Sequence, residues 1–403
     1  MLCQFTFKNY KSYKNETTIE MQAENISEFK ETLLKSPKDG KKFLPVSVIY
    51  GPNAGGKSNA LEALVSLIGS VIAPVIFVKG GTKIDNIPIV PYKFTNNSKE
   101  TTDFEIFYRI NKNEYRYNIS FLGEEIYYEA LYILTENAKK PTKIFVRNKN
   151  KIEVGEELKK EKVNINNNIN MPFLSFLAIS YNIKTINIAI QFFLSTSLLN
   201  CSDDNFENIL MHFMFEDPKI KEEFLKLLKI MDIDIIDYRV EKLPDVKDGI
   251  KLFTKHRISN KEYELNLVEE SRGTQKLFAL LPRIIISLKN GNLTVIDEMD
   301  AKLHPKLIQY IIELYKDKEI NKKGAQLIIT SHDLTTMTKD VFRRDEILFA
   351  AKDRENSSEI YSLYEIRDTN GQHISTKTAY NKQYMEGRYG ADPYLQRILD
   401  WEV

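Results

Sequence analysis

Gly51-Pro52-Asn53-Ala54-Gly55-Gly56-Lys57-Ser58 decides the reading of this chain. It fits G-x-x-x-x-G-K-[ST] without a mismatch, which a random chain of this length does roughly one time in a hundred at average residue frequencies. The glycines let the loop curl so that successive backbone N–H groups point inward at a phosphate, and a following helix adds its positive dipole end. In that pattern Lys57 reaches the β- and γ-phosphates of ATP and the Ser58 hydroxyl ligates Mg2+. The context agrees. Val46–Tyr50 reads as a buried strand running into Gly51, and Leu61, Leu64, Leu67 and Ile68 recur at helical spacing after Lys57.

Two further strand ends carry chemistry. Leu293–Ile296 is a short apolar run that delivers Asp297-Glu298 at its C-terminal end, where α/β sheets place nucleotide chemistry. Asp297 is expected to hold the Mg2+ shell and Glu298 to polarise the attacking water. Alone, such a pair is as often structural as functional. Asp300 and Leu303-His304-Pro305 follow it closely, and packing against Pro305 explains His304 as well as function does. Next comes Gln326–Thr330, ending in Ser331-His332, 35 residues after Asp297. A lone histidine at a strand end is usually a surface or capping residue, but at this spacing His332 is expected to contact a γ-phosphate.

Upstream, Glu270-Ser271-Arg272-Gly273-Thr274-Gln275 opens the apolar helix Lys276–Leu288. Ser271 alone reads as a helix N-cap. A Ser-x-Gly turn at a helix start also offers an anion a hydroxyl, backbone N–H groups and a dipole. It stands 26 residues before Asp297. The order phosphate loop, long insert, Ser-x-Gly helix, Asp-Glu strand, Ser-His strand resembles ABC-type ATPases, whose signature helix occupies this place.

The rest of the chain fits a large α/β head. Phe5–Phe7 and Thr18–Met21 read as strands, and Asn25–Lys42 as a loop with a helical turn. Period-two patterning over Phe104–Ile110 and Tyr115–Phe121 predicts a hairpin, continued as an antiparallel sheet by Ile126–Leu134 and Lys143–Ile152. The segment from Met171 to Met231 reads as helical, with Pro218 a break. Ile233–Val240 and Ile250–Lys255 read as strands. The last third alternates helix and strand, which argues a mostly parallel sheet covered by helices. The expected fold class is therefore α/β, an ABC-type P-loop ATPase head with an antiparallel part, a parallel core flanked by helices, and an α+β insertion. Residues 1–125 and 255–403 are the two parts of the head, and 126–254 are the insertion or arm.

Composition excludes more than it selects. Lys plus Arg number 57 and Asp plus Glu 56, a net charge of +1, so whole-chain charge argues for neither nucleic acid nor membrane. The Lys-rich stretch 139–162 carries interspersed glutamates and reads as a solvated face. Cys3 and Cys201 form no CxxC pair, which fits a reducing cytosol. The apolar stretches Ala60–Phe77 and Pro172–Leu199 are interrupted by Glu62, Pro74 and Lys184, short of the roughly 20 apolar residues a spanning helix needs. A cytoplasmic protein without membrane partners is the expectation. No heptad repeat is sustained, so no long coiled coil is expected.

Within the ABC superfamily the chain resembles the compact SMC/RecF-like ATPases of prokaryotic anti-phage and abortive-infection systems, RloA-like proteins and the ATPase of the PARIS system among them. The resemblance rests on Phe5–Tyr13, Gly51–Asn59, Glu269–Pro282, Val295–Pro305, Ile328–Asp333, Arg344–Ile347 with Lys352-Asp353, and Glu386–Pro393. It implies a head-to-tail homodimer or higher oligomer. Gly51–Ser58, Asp297, Glu298 and His332 of one chain would then face Ser271 and Gly273 of the other across ATP. It further implies a sensor or scaffold role: ATP-dependent control of a separately encoded effector, a TOPRIM-like or other nuclease, with a phage protein as the trigger. Two departures matter. The region Ile89–Phe94 offers no Q-loop glutamine, and Arg272 replaces the second small residue of the transporter-type signature. Only ten residues follow Pro393, so a C-terminal TOPRIM domain like that of the overcoming-lysogenization-defect family is not expected. The alternative is a RecF-like repair ATPase that binds DNA itself; a transporter ATPase fits less well.

Overall fold

Val46–Tyr50 is buried at all five positions, as a central strand of a parallel sheet covered on both faces must be. Its side chains alternate between two cores: Ile49 faces one, and Val46, Val48 and Tyr50 face the other. The computed structural model describes residues 1–80, 88–94, 100–165, 171–201, 217–242, 250–368 and 370–391. Around Val46–Tyr50 it builds a six-stranded sheet in the order Ser197–Asn200, Leu293–Asp297, Gln326–Thr330, Val46–Tyr50, Ile347–Lys352, Ser358–Ser362. The first five are parallel, and Ser358–Ser362 closes one edge antiparallel.

A second sheet of seven strands is antiparallel throughout. It runs Lys151–Val154, Thr142–Asn148, Glu125–Leu134, Asn113–Leu122, Thr102–Ile110, Leu2–Lys8, Thr17–Glu20. Residues 126–254 contribute to both sheets: the long strand Glu125–Leu134 lies inside the antiparallel one, and Ser197–Asn200 edges the parallel one. The continuous helical reading of Met171–Met231 needs correcting there. Helices Phe173–Ser180 and Lys184–Ser195 end at the extended residue Thr196, after which Ser197–Asn200 pairs in register with Thr294–Asp297. Helix Pro218–Ile230 follows with Asp217 as its N-cap; residues 202–216 lie outside the described ones.

Between the two sheets runs the helix Lys57–Gly80, whose Ala60, Leu61, Leu64, Leu67, Ile68 and Val71 share one core with both sheets. A helix placed between two sheets buries apolar residues on more than one side, while Ile76, Phe77 and Val78 near its end are exposed. Among the described residues, Lys57–Val78 is the single unbroken helix long and apolar enough to cross a membrane, and half of that stretch is buried inside the protein. Glu62 and Pro74, read as interruptions, leave the helix unbroken. Helices Arg272–Asn290 and Pro305–Lys316 cover the other face of the parallel sheet.

The run Arg343–Glu346 is structural. Arg343 is fully buried and grips Asp345 with Nε and Nη2, both at 2.8 Å, while donating to the carbonyls of Glu24 and Glu28. Arg344 pairs with Glu28, and Lys316 with the fully buried Glu346. The network fastens the N-terminal loop to the parallel core. Removing one partner leaves a buried charge uncompensated, so Arg343→Leu should lower unfolding stability by about 3–5 kcal/mol. Chemical denaturation checks this; an unchanged midpoint would show that the pairing contributes nothing net.

Candidate functional site

The parallel register brings the three motifs to one edge. Thr330 pairs with Ile49 and Ile329 with Val48, while Ile296 pairs with Ile329. The chain therefore leaves the sheet at Gly51, Glu298 and Ser331 side by side. Ser331 N–H donates to the Ile49 carbonyl at 3.2 Å, fixing this alignment past the strand end.

At the phosphate loop, glycine is demanded by neighbours as well as by curvature. A Cβ on Gly51 would lie 2.1 Å from the Ala350 carbonyl oxygen, and one on Gly56, at φ +117°, 2.5 Å from Ser358 Oγ. The strand carrying Ala350 thus supports the loop from outside, and Tyr13 does so from below by donating to the Gly56 carbonyl at 3.1 Å. Asn53 and Ala54 are exposed at the tip, Ala54 at φ +61°. Lys57 and Ser58 open the helix. The Lys57 ammonium donates to the Gly51 and Pro52 carbonyls at 2.8 and 2.9 Å. Burial draws its pKa down to about 8, against the opposing pull of the Asp297, Asp300 and Glu298 carboxylates.

Asp297 is buried and Glu298 half-buried. Thr330 joins them, a residue that sequence reasoning passed over as a strand-forming threonine. Its hydroxyl donates to Asp297 Oδ1 at 2.5 Å and accepts from the Glu298 N–H at 2.8 Å. Glu298 sits at φ +51°, a conformation a glutamate adopts only when its surroundings impose it. His332 is exposed, and its backbone N–H donates to Asp300 Oδ1 at 3.1 Å. His304 is a helix N-cap, its Nδ1 accepting from the Lys306 N–H at 3.2 Å.

Ser271 caps the helix Arg272–Asn290, its hydroxyl accepting from the Thr274 N–H at 3.1 Å. Ser271 and Arg272 are exposed, and the side-chain hydrogen bonds they make stay within this turn, to Thr274 and Gln275. Gln275 braces the turn by donating to the Val268 and Glu270 carbonyls. Glu270 in turn accepts from Thr254 at 2.5 Å and pairs with His256 Nε2 at 2.7 Å. That pair fastens the turn to the three-stranded sheet Asp237–Lys242, Ile250–Ile258, Lys261–Asn266. The structure thus gathers Gly51–Ser58, Asp297, Glu298 and His332 at one edge, and sets Ser271 and Gly273 on a braced turn where Ser271 is exposed and Gly273 is half-buried beside the Lys302 carbonyl. In the region Ile89–Phe94, Tyr92 donates its N–H to Asn9 Oδ1, and no glutamine occurs.

A family model described as "AAA domain, putative AbiEii toxin, Type IV TA system" matches residues 46–338, well over half the chain, and the chain belongs to that family. Its fold is the mixed antiparallel and parallel α/β architecture described above, an AAA-type P-loop domain that carries the phosphate loop Gly51–Ser58. Among solved structures it is similar to an SMC head domain from Thermotoga maritima, with a TM-score of 0.41 and 14% identity over 90% of this chain and 98% of that one. It is also similar to an SmcHead bound to the C-winged helix domain of ScpA, with a TM-score of 0.44 and 13% identity over 90% and 97% of the two chains. No curated protein matches it.

Two outcomes follow from this geometry. Thr330→Val keeps the side-chain shape but removes the hydroxyl, so turnover should fall roughly ten- to hundredfold while ATP affinity stays within about twofold. Steady-state kinetics beside a nucleotide titration separate the two, and unchanged turnover would remove Thr330 from the site. Lys57 attracts phosphate only when protonated. Above its free-state pKa of about 8, binding must recruit a proton, and the Kd for ATP should rise by up to about tenfold per pH unit. Titrations at pH 7, 8 and 9 should show a plateau, then weakening; a flat profile would contradict the assignment.

Proposed function

We propose that this chain hydrolyses ATP at sites shared by two copies, each giving its phosphate loop and acidic edge to one nucleotide and its Ser271 turn to the other. The carrying observation is the convergence of Lys57, Ser58, Asp297 and Glu298 on one edge while Ser271, at the start of its helix, is exposed. The residues fit the ligands: a glycine cradle that any Cβ would fill, a buried lysine, and a hydroxyl and carboxylate suited to a hard cation. Ser58 and Asp297 would hold Mg2+, which when bound offsets the charge of the β- and γ-phosphates. Lys57 and the loop N–H groups orient the phosphates, Glu298 takes up the proton of the attacking water, and His332 reaches the γ-phosphate from the neighbouring strand. Ser271 and Gly273 of the second copy close the site and exclude water.

The role proposed for that closure is control of an effector encoded separately, in an anti-phage or abortive-infection setting. The family description, which names a toxin of a toxin–antitoxin system, supports this reading. Closing two heads on ATP gives the chain two states, and a partner that binds only one of them is held or released by nucleotide.

Glu298→Gln should preserve ATP binding and lower turnover roughly a hundredfold or more, whereas Lys57→Ala should weaken binding itself. Mixing Ser271→Arg with Lys57→Ala chains should restore activity, because one of the two mixed sites is then intact. Confirmed heterodimers as inactive as either parent would end the shared-site reading. The purified chain should cut neither DNA nor RNA and should co-purify with a protein encoded beside it. Tight DNA binding with a steep salt dependence and no protein partner would instead support the repair ATPase.

A further inference from the structure

Lys276 lies one turn into the Ser271 helix, where an amphipathic pattern would put a lysine in solvent, yet only 1% of it is exposed. Its ammonium donates to the Ala301 carbonyl and lies 3.4 and 3.5 Å from the carbonyls of Glu298 and Met299. Glu298 is thus held at both of its peptide groups: the N–H by Thr330 at 2.8 Å and the carbonyl by Lys276. These two holds flank the residue whose φ is +51°. A second contact joins the same two segments. Gly273 packs so closely on the turn after Glu298 that a Cβ there would lie 3.2 Å from the Lys302 carbonyl oxygen. Cys201, whose N–H donates to the Asp297 carbonyl at 2.9 Å, lies against Lys276 as well. Burial holds the lysine's pKa below the usual range, so its charge is kept at a cost that contacts with three consecutive-turn carbonyls offset.

We propose that Lys276 is a positioning residue, which anchors the Glu298 turn to the rigid Ser271 helix of the same chain and so sets the carboxylate that activates water. It acts through Glu298 and touches no substrate. The inference rests on the ATPase reading above, and its second test on the shared sites.

Lys276→Met removes the ammonium at nearly constant length, and Lys276→Arg keeps a charge with several donors. The methionine variant should keep its Kd for ATP within about twofold and lose at least about tenfold in kcat, with the arginine variant recovering part of that loss. An unchanged kcat overturns the proposal. So does a loss that follows a lowered unfolding midpoint and that arginine does not relieve.

Placement decides the route. Consider a mixed dimer in which a helper chain carrying Lys57→Ala leaves one working site, built on the other chain's Lys57 and Glu298 and the helper's Ser271. Lys276→Met should slow this dimer when it is in the working chain and leave the rate within about twofold when it is in the helper. A loss confined to the helper placement, or equal in both, overturns the proposal. If the reference mixed dimer is itself inactive, the shared-site reading fails instead, and the Met and Arg variants of the uniform protein still decide Lys276.

Discussion

The parallel pairing of Leu293–Asp297, Gln326–Thr330 and Val46–Tyr50 is the constraint on which the rest depends. Because side chains alternate with a period of two, a slip of one residue would turn Val48 and Ile329 toward the wrong core and carry Asp297 away from Lys57. Two hydrophobic cores, one on each face, therefore hold the register and the functional edge together. Stability and chemistry are not separable here: the strands that bury most are the ones that deliver the loop, the acids and the histidine.

On that edge the protein holds unfavourable states in place. Lys57 is buried with its pKa drawn down to about 8. Glu298 occupies the left-handed region, and Lys276 is a charge inside the core. Each is tolerated because backbone carbonyls, Thr330 or neighbouring carboxylates compensate it. Strain of this kind, fixed by its surroundings, is the expected mark of a preorganised site.

Much of this was legible in the sequence. Gly51–Ser58 needs its residue types for backbone reasons, and Asp297-Glu298 follows a run too apolar to be anything but a buried strand. The antiparallel patterning of Phe104–Phe121 also reads directly from its alternation. What stayed hidden depends on three-dimensional neighbours. Thr330 has the residue type of any strand, Lys276 that of any helix surface, and only tertiary contact turns them into supports. The role of Ala350 is invisible because its backbone, not its side chain, meets Gly51 and Gly55. Ser197–Asn200 continues an apolar helical stretch and by local pattern belongs to it; pairing with Thr294–Asp297 outweighs that local preference. The long apolar helix after Lys57 packs against both sheets, which accounts for the apolar residues of its buried part.

The claim that two copies share each nucleotide site is most directly tested by cross-linking. Cys3 and Cys201 are free and buried, so cysteines introduced at the exposed positions Asn53 and Ser271 would react against a low background. A chain carrying Asn53→Cys, mixed with one carrying Ser271→Cys, can join these positions only between molecules. With Glu298→Gln added to both to hold ATP, the account predicts an intermolecular 53–271 disulfide that forms with Mg-ATP and is absent without nucleotide. Failure to form it in chains shown to bind ATP would contradict the shared site.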